Sequence, residues 1–450
     1  MGRLLPCAIV LTLALRPTPT RADDGCLAGA STLADQRAMA TLRASLETSC
    51  PCAAAKSRGT FRRCGKGVLA AAVGDATLRS ACEKTAKRVI KTASCGTQQV
   101  PCGRVQPAAG VVASCKVRRA AACTDRARFD QTACSDATYC ADVVDWSAGT
   151  CSDVRVPGPY GVGVRVITFT KQSAVNPNDP RPLDVVVWYP TTPGAGPIDG
   201  RYDGVLDAPV DGSGAPYPVV MFSHGSCGFP TQSLFLWPLV ASRGYVVIAP
   251  PHPGNTLFEF PTCSTPQAQL ASAVERPQDV RFTLDQMLAE NANPGSAFFG
   301  VLDPTRIGMS GHSFGGFTTY LAATQDTRYR VAIPMAAAVP PSHPVLTIPS
   351  LTMISTADSV VNNNATRSQY DLAATPKYFV EIANTGHFAY SDGCFPSPDC
   401  NPPVTLTQDE AHLAVLRWVI PFLEWYLKGD DRFAAFFETP QPVGVTVQIN

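Results

Sequence analysis

The chain has 450 residues, 45% of them hydrophobic and 16% charged, with a formal net charge of +1 at pH 7. That length exceeds one ordinary domain and predicts two, and the apolar content excludes a disordered chain. The near-neutral total hides an asymmetry: residues 23–151 hold 18 Lys/Arg against 11 Asp/Glu, and residues 152–450 hold 16 against 25. The basic residues are interleaved with alanines rather than blocked, so no nucleic-acid partner is expected. Their excess reads first as solubility and attraction between the two parts, and second as docking of the N-terminal part on an unidentified anionic surface.

At the N-terminus, Arg3, the apolar run from Leu4 to Leu15 and the small-residue site Thr20-Arg21-Ala22 read as an export signal over residues 1–22. The run is too short to span a bilayer, and no later stretch reaches that length. A secreted or periplasmic protein is the expectation. Of 17 cysteines, Cys7 leaves with the signal, and an even number remains. Export and an even count predict disulfides. Twelve cysteines fall between Cys26 and Cys151, whereas the first histidine of the chain is His224, so a zinc site there would need cysteine ligands alone. No metal or organic cofactor is expected.

Residues 23–151 form the first predicted domain. Leu33–Thr48, Ala53–Arg63 and Ala76–Thr92 are rich in helix formers, and cysteines lie in or beside them. A small, disulfide-rich, mainly helical domain follows, since so little apolar area needs staples. A second cysteine group, Cys115 to Cys151, shows no clean repeat. Val156-Pro157-Gly158-Pro159 breaks the pattern and marks the boundary to residues 152–450.

Beyond it come short strands between turns. Gly163–Phe169 and Leu183–Tyr189 alternate like a hairpin at a sheet edge. Val219–Ser223 and Tyr245–Ala249 are continuous apolar runs, as in strands buried on both faces. Helical segments are expected at Ser233–Ser242, Pro277–Glu290 and Asp409–Leu427. Further strands are expected at Arg306–Ser310, Arg330–Pro334, Ser350–Ser355 and Tyr378–Ile382. This alternation predicts an α/β architecture with a mostly parallel sheet covered on both sides.

Gly311-His312-Ser313-Phe314-Gly315 matches G-x-S-x-G between a strand and a helix, where a serine sits on a strained turn with its hydroxyl exposed at the sheet edge. Acyl transfer by that serine needs a base, a carboxylate to orient the base, and donors for the oxyanion. The chain supplies them in the order Ser313, Asp358, His387, the last two each following a strand. Asp358 also reads as a helix N-cap before Val360, with Asp371 a weak substitute in the triad. Ser223-His224-Gly225-Ser226 ends a buried strand at a glycine bend, so the backbone N–H groups of Ser226 and Phe314 are the expected oxyanion donors. His312 should point away from Ser313, and His252 could line the cleft. Cys394 and Cys400 flank a short loop after His387, and Cys227 and Cys263 lie in two loops at the cleft mouth; each pair is a disulfide candidate.

Several segments carry a resemblance. Pro182–Pro190, Phe222-Ser223-His224-Gly225, His252–Thr256, Arg276-Pro277-Gln278-Asp279-Val280 and Gly311–Gly316 resemble the α/β-hydrolase superfamily, in the branch of plasma-type platelet-activating-factor acetylhydrolases and bacterial predicted dienelactone hydrolases. The segments around Asp358 and His387 are similar to secreted polyester hydrolases and cutinases. The resemblance covers about residues 159–427. It implies an α/β-hydrolase fold, a serine esterase and a short-acyl, phospholipid or polyester substrate, small or polymeric, with a role in lipid degradation. A peptidase or amidase on the same triad, and a binding protein acting through its cysteine-rich part, are the competing expectations. Oligomeric state is not legible.

Overall fold

The computed structural model describes residues 26, 32–97, 99–105, 112–123, 130–133, 154–155, 157–394, 406–430 and 445–449. Residues 1–22, expected to be an export signal, and the cysteines at 134, 140, 151 and 400 lie outside the described residues.

Helices α1 (Thr32–Ser49), α2 (Arg58–Gly74) and α3 (Glu83–Lys91) pack around Leu42, Leu46, Phe61, Leu69, Val89 and Ile90. Disulfides Cys26–Cys82, Cys50–Cys64 and Cys52–Cys95 staple them. Helix α2 begins at Arg58 rather than Ala53 because Ser57 caps it, its side chain accepting from Thr60 N at 3.1 Å. Three strands follow that the sequence pattern does not reveal: β1 (Val100–Val105), β2 (Val112–Arg118) and β3 (Asp130–Ala133). They form an antiparallel sheet in the order β2-β1-β3, with Cys102 joined to Cys123.

The larger sheet has ten strands. They are β4 (Gly161–Gln172), β5 (Pro180–Thr191), β6 (Val205–Leu206), β7 (Tyr217–Ser223), β8 (Val246–Ala249), β9 (Leu302–His312), β10 (Tyr329–Met335), β11 (Ser350–Ser355), β12 (Lys377–Ile382) and β13 (Val445–Ile449). The order across the sheet is β13-β12-β11-β10-β9-β7-β8-β5-β4-β6. From β8 through β12 every pairing is parallel; β4–β5, β5–β8 and β12–β13 are antiparallel.

Both faces of this sheet are covered, and the strand sequences show why. Successive side chains point to opposite faces. On β5, Leu183, Val185, Val187 and Tyr189 enter one core and Val186 and Trp188 the other; on β7, Val219 and Met221 part from Val220 and Phe222 in the same way. Helices α4 (Trp237–Ser242) and α8 (Gln408–Tyr426) cover one face with Trp237, Trp418 and Phe422. Helix α5 (Pro266–Ala292) covers the other with Val280, Leu284 and Met287. Helices α6 (Phe314–Gln325) and α7 (Asn363–Leu372) complete the layers.

Two helices depart from expectation. Helix α4 starts at Trp237 rather than Ser233, with Pro238 in its first turn. Helix α5 starts at Pro266, well before Pro277, because Thr265 caps it and Pro266 needs no helical donor at that position. Pro277 then lies inside the helix, and the segment around it carries a buried ionic knot. Lys171 Nζ lies 2.8 Å from Glu275 Oε2 and 3.3 Å from Asp279 Oδ1, and Arg181 NH2 lies 2.7 Å from Asp279 Oδ2. This knot ties β4 and β5 to α5.

Burial raises the Glu275 carboxyl, but Lys171, Ser173 and the backbone N–H of Val175 outweigh it and bring the pKa from 4.5 to about 2. A folded-state value below the unfolded one stabilises the protein above the unfolded value, and this is lost as pH falls through the folded one. Glu275→Gln is therefore expected to cost about 1–3 kcal/mol at pH 7 and to flatten the loss of stability between pH 4.5 and about 2. Urea unfolding at pH 7 and pH 3 checks both; a variant that loses as much on acidification as wild type contradicts the assignment.

Candidate active site

The parallel strands β7, β9, β11 and β12 end on one edge of the sheet, and each hands the chain to a loop there. Open α/β sheets place their ligands at this edge.

At the end of β9, Ser313 has φ 57° and ψ −115°. A non-glycine residue at positive φ is strained, and the surroundings hold it: Ser313 N donates to Met335 O at 2.9 Å, and Ser313 O accepts from Ala338 N at 3.1 Å. The turn exists only because its flanks are glycine. A Cβ on Gly311 would lie 2.1 Å from Gly315 O, and one on Gly315 would lie 1.8 Å from Ser223 O. Phe314 opens α6, so its N–H has no partner within the helix.

His387 follows β12 and is 3% exposed. Its Nδ1 lies 2.8 Å from Asp358 Oδ2. A carboxylate only accepts, so Nδ1 carries the proton and Nε2 is left with a free lone pair. Asp358 serves two groups at once. Its Oδ1 accepts from the N–H groups of Val360 and Val361 at 2.8 and 2.9 Å. The helix that follows, α7, starts later and is capped by Asn362. Asp358 thus holds a turn with one oxygen and His387 with the other. Asp371 is exposed, and its backbone carbonyl accepts from Lys377 Nζ at 2.8 Å.

The loop after β7 lies against Ser313: a Cβ on Gly225 would stand 3.5 Å from Ser313 Cβ. Ser226 Oγ accepts from Gln269 Nε2 at 2.6 Å and Asn255 Nδ2 at 3.2 Å. The same two amides donate to Cys263 O at 2.8 and 2.7 Å. Cys263 is joined to Cys227, which has φ 51°. Cys394 is disulfide-bonded, and residue 400 lies outside the described residues. Replacing Cys227 and Cys263 together by serine is expected to cost about 3–4 kcal/mol for a loop of this length. Thermal unfolding with and without reductant measures that loss, and an unchanged midpoint refutes it.

His252 is 0% exposed rather than lining a cleft. Its Nδ1 meets Asp279 Oδ2 at 3.0 Å and its Nε2 meets Ser223 Oγ at 2.9 Å. Burial, then Arg276, holds its pKa well below the ordinary range. His312 is buried and bridges two loops: Gln232 Nε2 lies 3.0 Å from its Nδ1, and its Nε2 lies 2.9 Å from His387 O. Gln232 Oε1 in turn accepts from Gly225 N at 2.9 Å. His412 stacks on Phe235 at 3.7 Å between ring centroids, and His343 is exposed.

Sequence reasoning assigns no role to Arg276, Asn255, Gln269 or Gln232. Arg276 carries a readable signal, being four residues before Val280 on the apolar stripe of α5. Asn255 lies in the His252–Thr256 segment that carries the resemblance, and the glutamines carry no signal, since nothing in sequence marks an amide that packs inward.

Among the described residues, one cluster has metal-ligand proximity, Cys26, Asp35 and Cys82, but its cysteines form a disulfide and Asp35 accepts from Arg79 Nε at 2.7 Å. No helix among the described residues is long and apolar enough to cross a membrane.

The mainly parallel sheet covered on both faces, with a serine at the strand-to-helix turn, defines an α/β-hydrolase fold preceded by a disulfide-rich region. The family model described as PET hydrolase-like matches residues 196–447, and the chain belongs to that family. The chain is 27% identical over 177 residues to a cutinase, est1, of Thermobifida alba, covering 38% of this chain and 54% of the cutinase. It is 23% identical over 250 residues to a bis(hydroxyethyl) terephthalate hydrolase of Streptomyces coelicolor, covering 54% of this chain and 69% of that protein. The match thus spans about half the length of the cutinases. A ferulic acid esterase structure from Streptomyces cinnamoneus superposes with a TM-score of 0.53 at 23% identity, covering 66% of this chain and 98% of that one.

Proposed function

We propose that this protein is an exported serine hydrolase that cleaves carboxylic esters through an acyl-enzyme. The observation that carries the reading is the 2.8 Å contact of Asp358 with His387 Nδ1, beside a serine held at positive φ. Ser313 Oγ attacks the ester carbonyl and passes its proton to His387 Nε2. The N–H groups of Ser226 and Phe314 hold the oxyanion. The alcohol leaves with the proton from Nε2, and water, activated by the same nitrogen, releases the acid. Asp358 keeps His387 in the required tautomer throughout.

The substrate class is a short-acyl or aromatic ester of the polyester type. Two of the named relatives support it, one a cutinase and one a bis(hydroxyethyl) terephthalate hydrolase. Residues 1–22 are the export signal, 23–151 a cysteine-rich domain, and 152–450 the catalytic domain. The disulfides on both sides of that boundary support export to an oxidising compartment. The test is turnover of p-nitrophenyl esters from acetate to palmitate and of bis(hydroxyethyl) terephthalate, with p-nitroanilides alongside. Folded, oxidised protein that cleaves the anilides and no ester would overturn the reading.

A further inference from the structure

We infer that Arg276 is the positioning residue that aims the oxyanion-hole peptide, an inference that rests on the acyl-transfer reading above. Its side chain comes up from α5 beneath the loop that follows β7 and is 0% exposed. Arg276 NH1 donates to His224 O at 2.6 Å, and NH2 donates to Gly225 O at 2.9 Å. Gly225 O also accepts from Gly228 N at 3.1 Å and lies 2.8 Å from His224 Nδ1. That nitrogen carries its proton, because His224 Nε2 already accepts from His252 N at 3.2 Å.

Three donors thus fix one carbonyl. In a trans peptide the C=O and the following N–H point in opposite directions. Pinning Gly225 O on the guanidinium therefore turns the N–H of Ser226 to the other side of the loop. Arg276 reaches further. Asn255 Oδ1 accepts from Arg276 NH2 at 2.6 Å and Nε at 3.2 Å, while Asn255 Nδ2 donates to Ser226 Oγ. The guanidinium carbon lies 4.6 Å from the centre of the Phe314 ring, so one cation touches Phe314 and the carbonyl of the peptide that bears the Ser226 N–H. A cation behind a carbonyl also polarises its peptide and strengthens the N–H on the far side. Burial lowers the pKa of Arg276 to about 9, so the charge persists at neutral pH. Lysine offers a point charge and cannot span His224 O, Gly225 O and Asn255 Oδ1 together.

The experiment uses the full oxidised chain, Arg276→Lys and Asn255→Ala. Each is assayed on p-nitrophenyl acetate and on its thiono counterpart, in which sulfur replaces the carbonyl oxygen. Active sites are counted with a fluorophosphonate. A site shaped for an oxyanion prefers oxygen, and a merely structural defect lowers both rates alike. For Arg276→Lys, kcat per titrated site on the oxygen ester is expected to fall about 100-fold. Its oxygen-over-sulfur preference should shrink at least about tenfold, with KM within about threefold. Asn255→Ala should move the preference in the same direction by less. A folded Arg276→Lys that keeps the wild-type preference overturns the inference, and so does equal loss on both esters. If Arg276→Lys does not fold, an unchanged preference in Asn255→Ala overturns it. Wild type inert on the oxygen ester would instead sink the acyl-transfer reading itself.

Discussion

Ser313→Ala is expected to lower kcat on p-nitrophenyl butyrate by about a million-fold, leaving only what positioning and oxyanion donors supply without a nucleophile. The fold should survive. Only Ser313 Oγ is lost, and the hydrogen bonds that hold the turn come from backbone: Ser313 N to Met335 O, and Ser313 O to Phe317 N and Ala338 N. Alanine also relieves little of the strain at φ 57°, because the conformation is imposed by the flanking glycines. The measurement is a steady-state rate beside a thermal unfolding curve. A rate within tenfold of wild type means that another group is the nucleophile. The obvious rival is Ser223, which lies 2.9 Å from His252 Nε2 with Asp279 behind. That set has the connectivity of a triad, but Ser223 and His252 are 0% exposed, so no ester carbonyl can reach it.

Asp358→Asn is expected to lower kcat about 10,000-fold with almost no change in stability. The asymmetry follows from which oxygen does what. Oδ1 accepts two backbone N–H groups, from Val360 and Val361, and Oδ2 faces His387. In the asparagine variant the amide has one favourable orientation. Its oxygen must stay with the two N–H donors, so its NH2 faces His387 Nδ1. That nitrogen must then accept, the imidazole proton moves to Nε2, and no base remains to face Ser313. The turn keeps its hydrogen bonds, so thermal unfolding should shift little while turnover nearly vanishes. An active Asp358→Asn would mean that the carboxylate is a turn residue alone and that His387 needs no orienting partner.

Both predictions draw on residues that the amino-acid sequence itself marks. Ser313 stands out through the glycines on either side, and those glycines are obligatory for contact reasons that apply to the backbone alone. The parallel strands are legible because burial on both faces leaves a near-continuous apolar run with no exposed position, as in β7 and β8. Strand β13 is not, since it pairs at the edge far from its neighbours in sequence. The start of α5 is hidden because Pro277 reads as a boundary, when Thr265 and Pro266 already supply one. The buried partners of the oxyanion loop escape for another reason. A polar side chain that packs inward is set by three-dimensional accounting of donors and acceptors, and Gln232, Asn255 and Gln269 look like surface residues until that accounting is done.

The bridge through Gln232 and His312 has a consequence of its own. It begins at a group that can only give a proton, Gly225 N–H, and ends at one that can only receive, His387 O. Every hydrogen between is thereby assigned: His312 carries its proton on Nε2, and Gln232 turns its NH2 to His312 and its oxygen to Gly225. Ice has many equivalent proton arrangements, but this chain has one. Rotating the amide by half a turn breaks two contacts, and a second proton on His312 would sit on Nδ1 and break the contact with Gln232. The loop that carries His387 and the loop that carries Gly225 are therefore tied by a hydrogen-bond chain with a single proton arrangement.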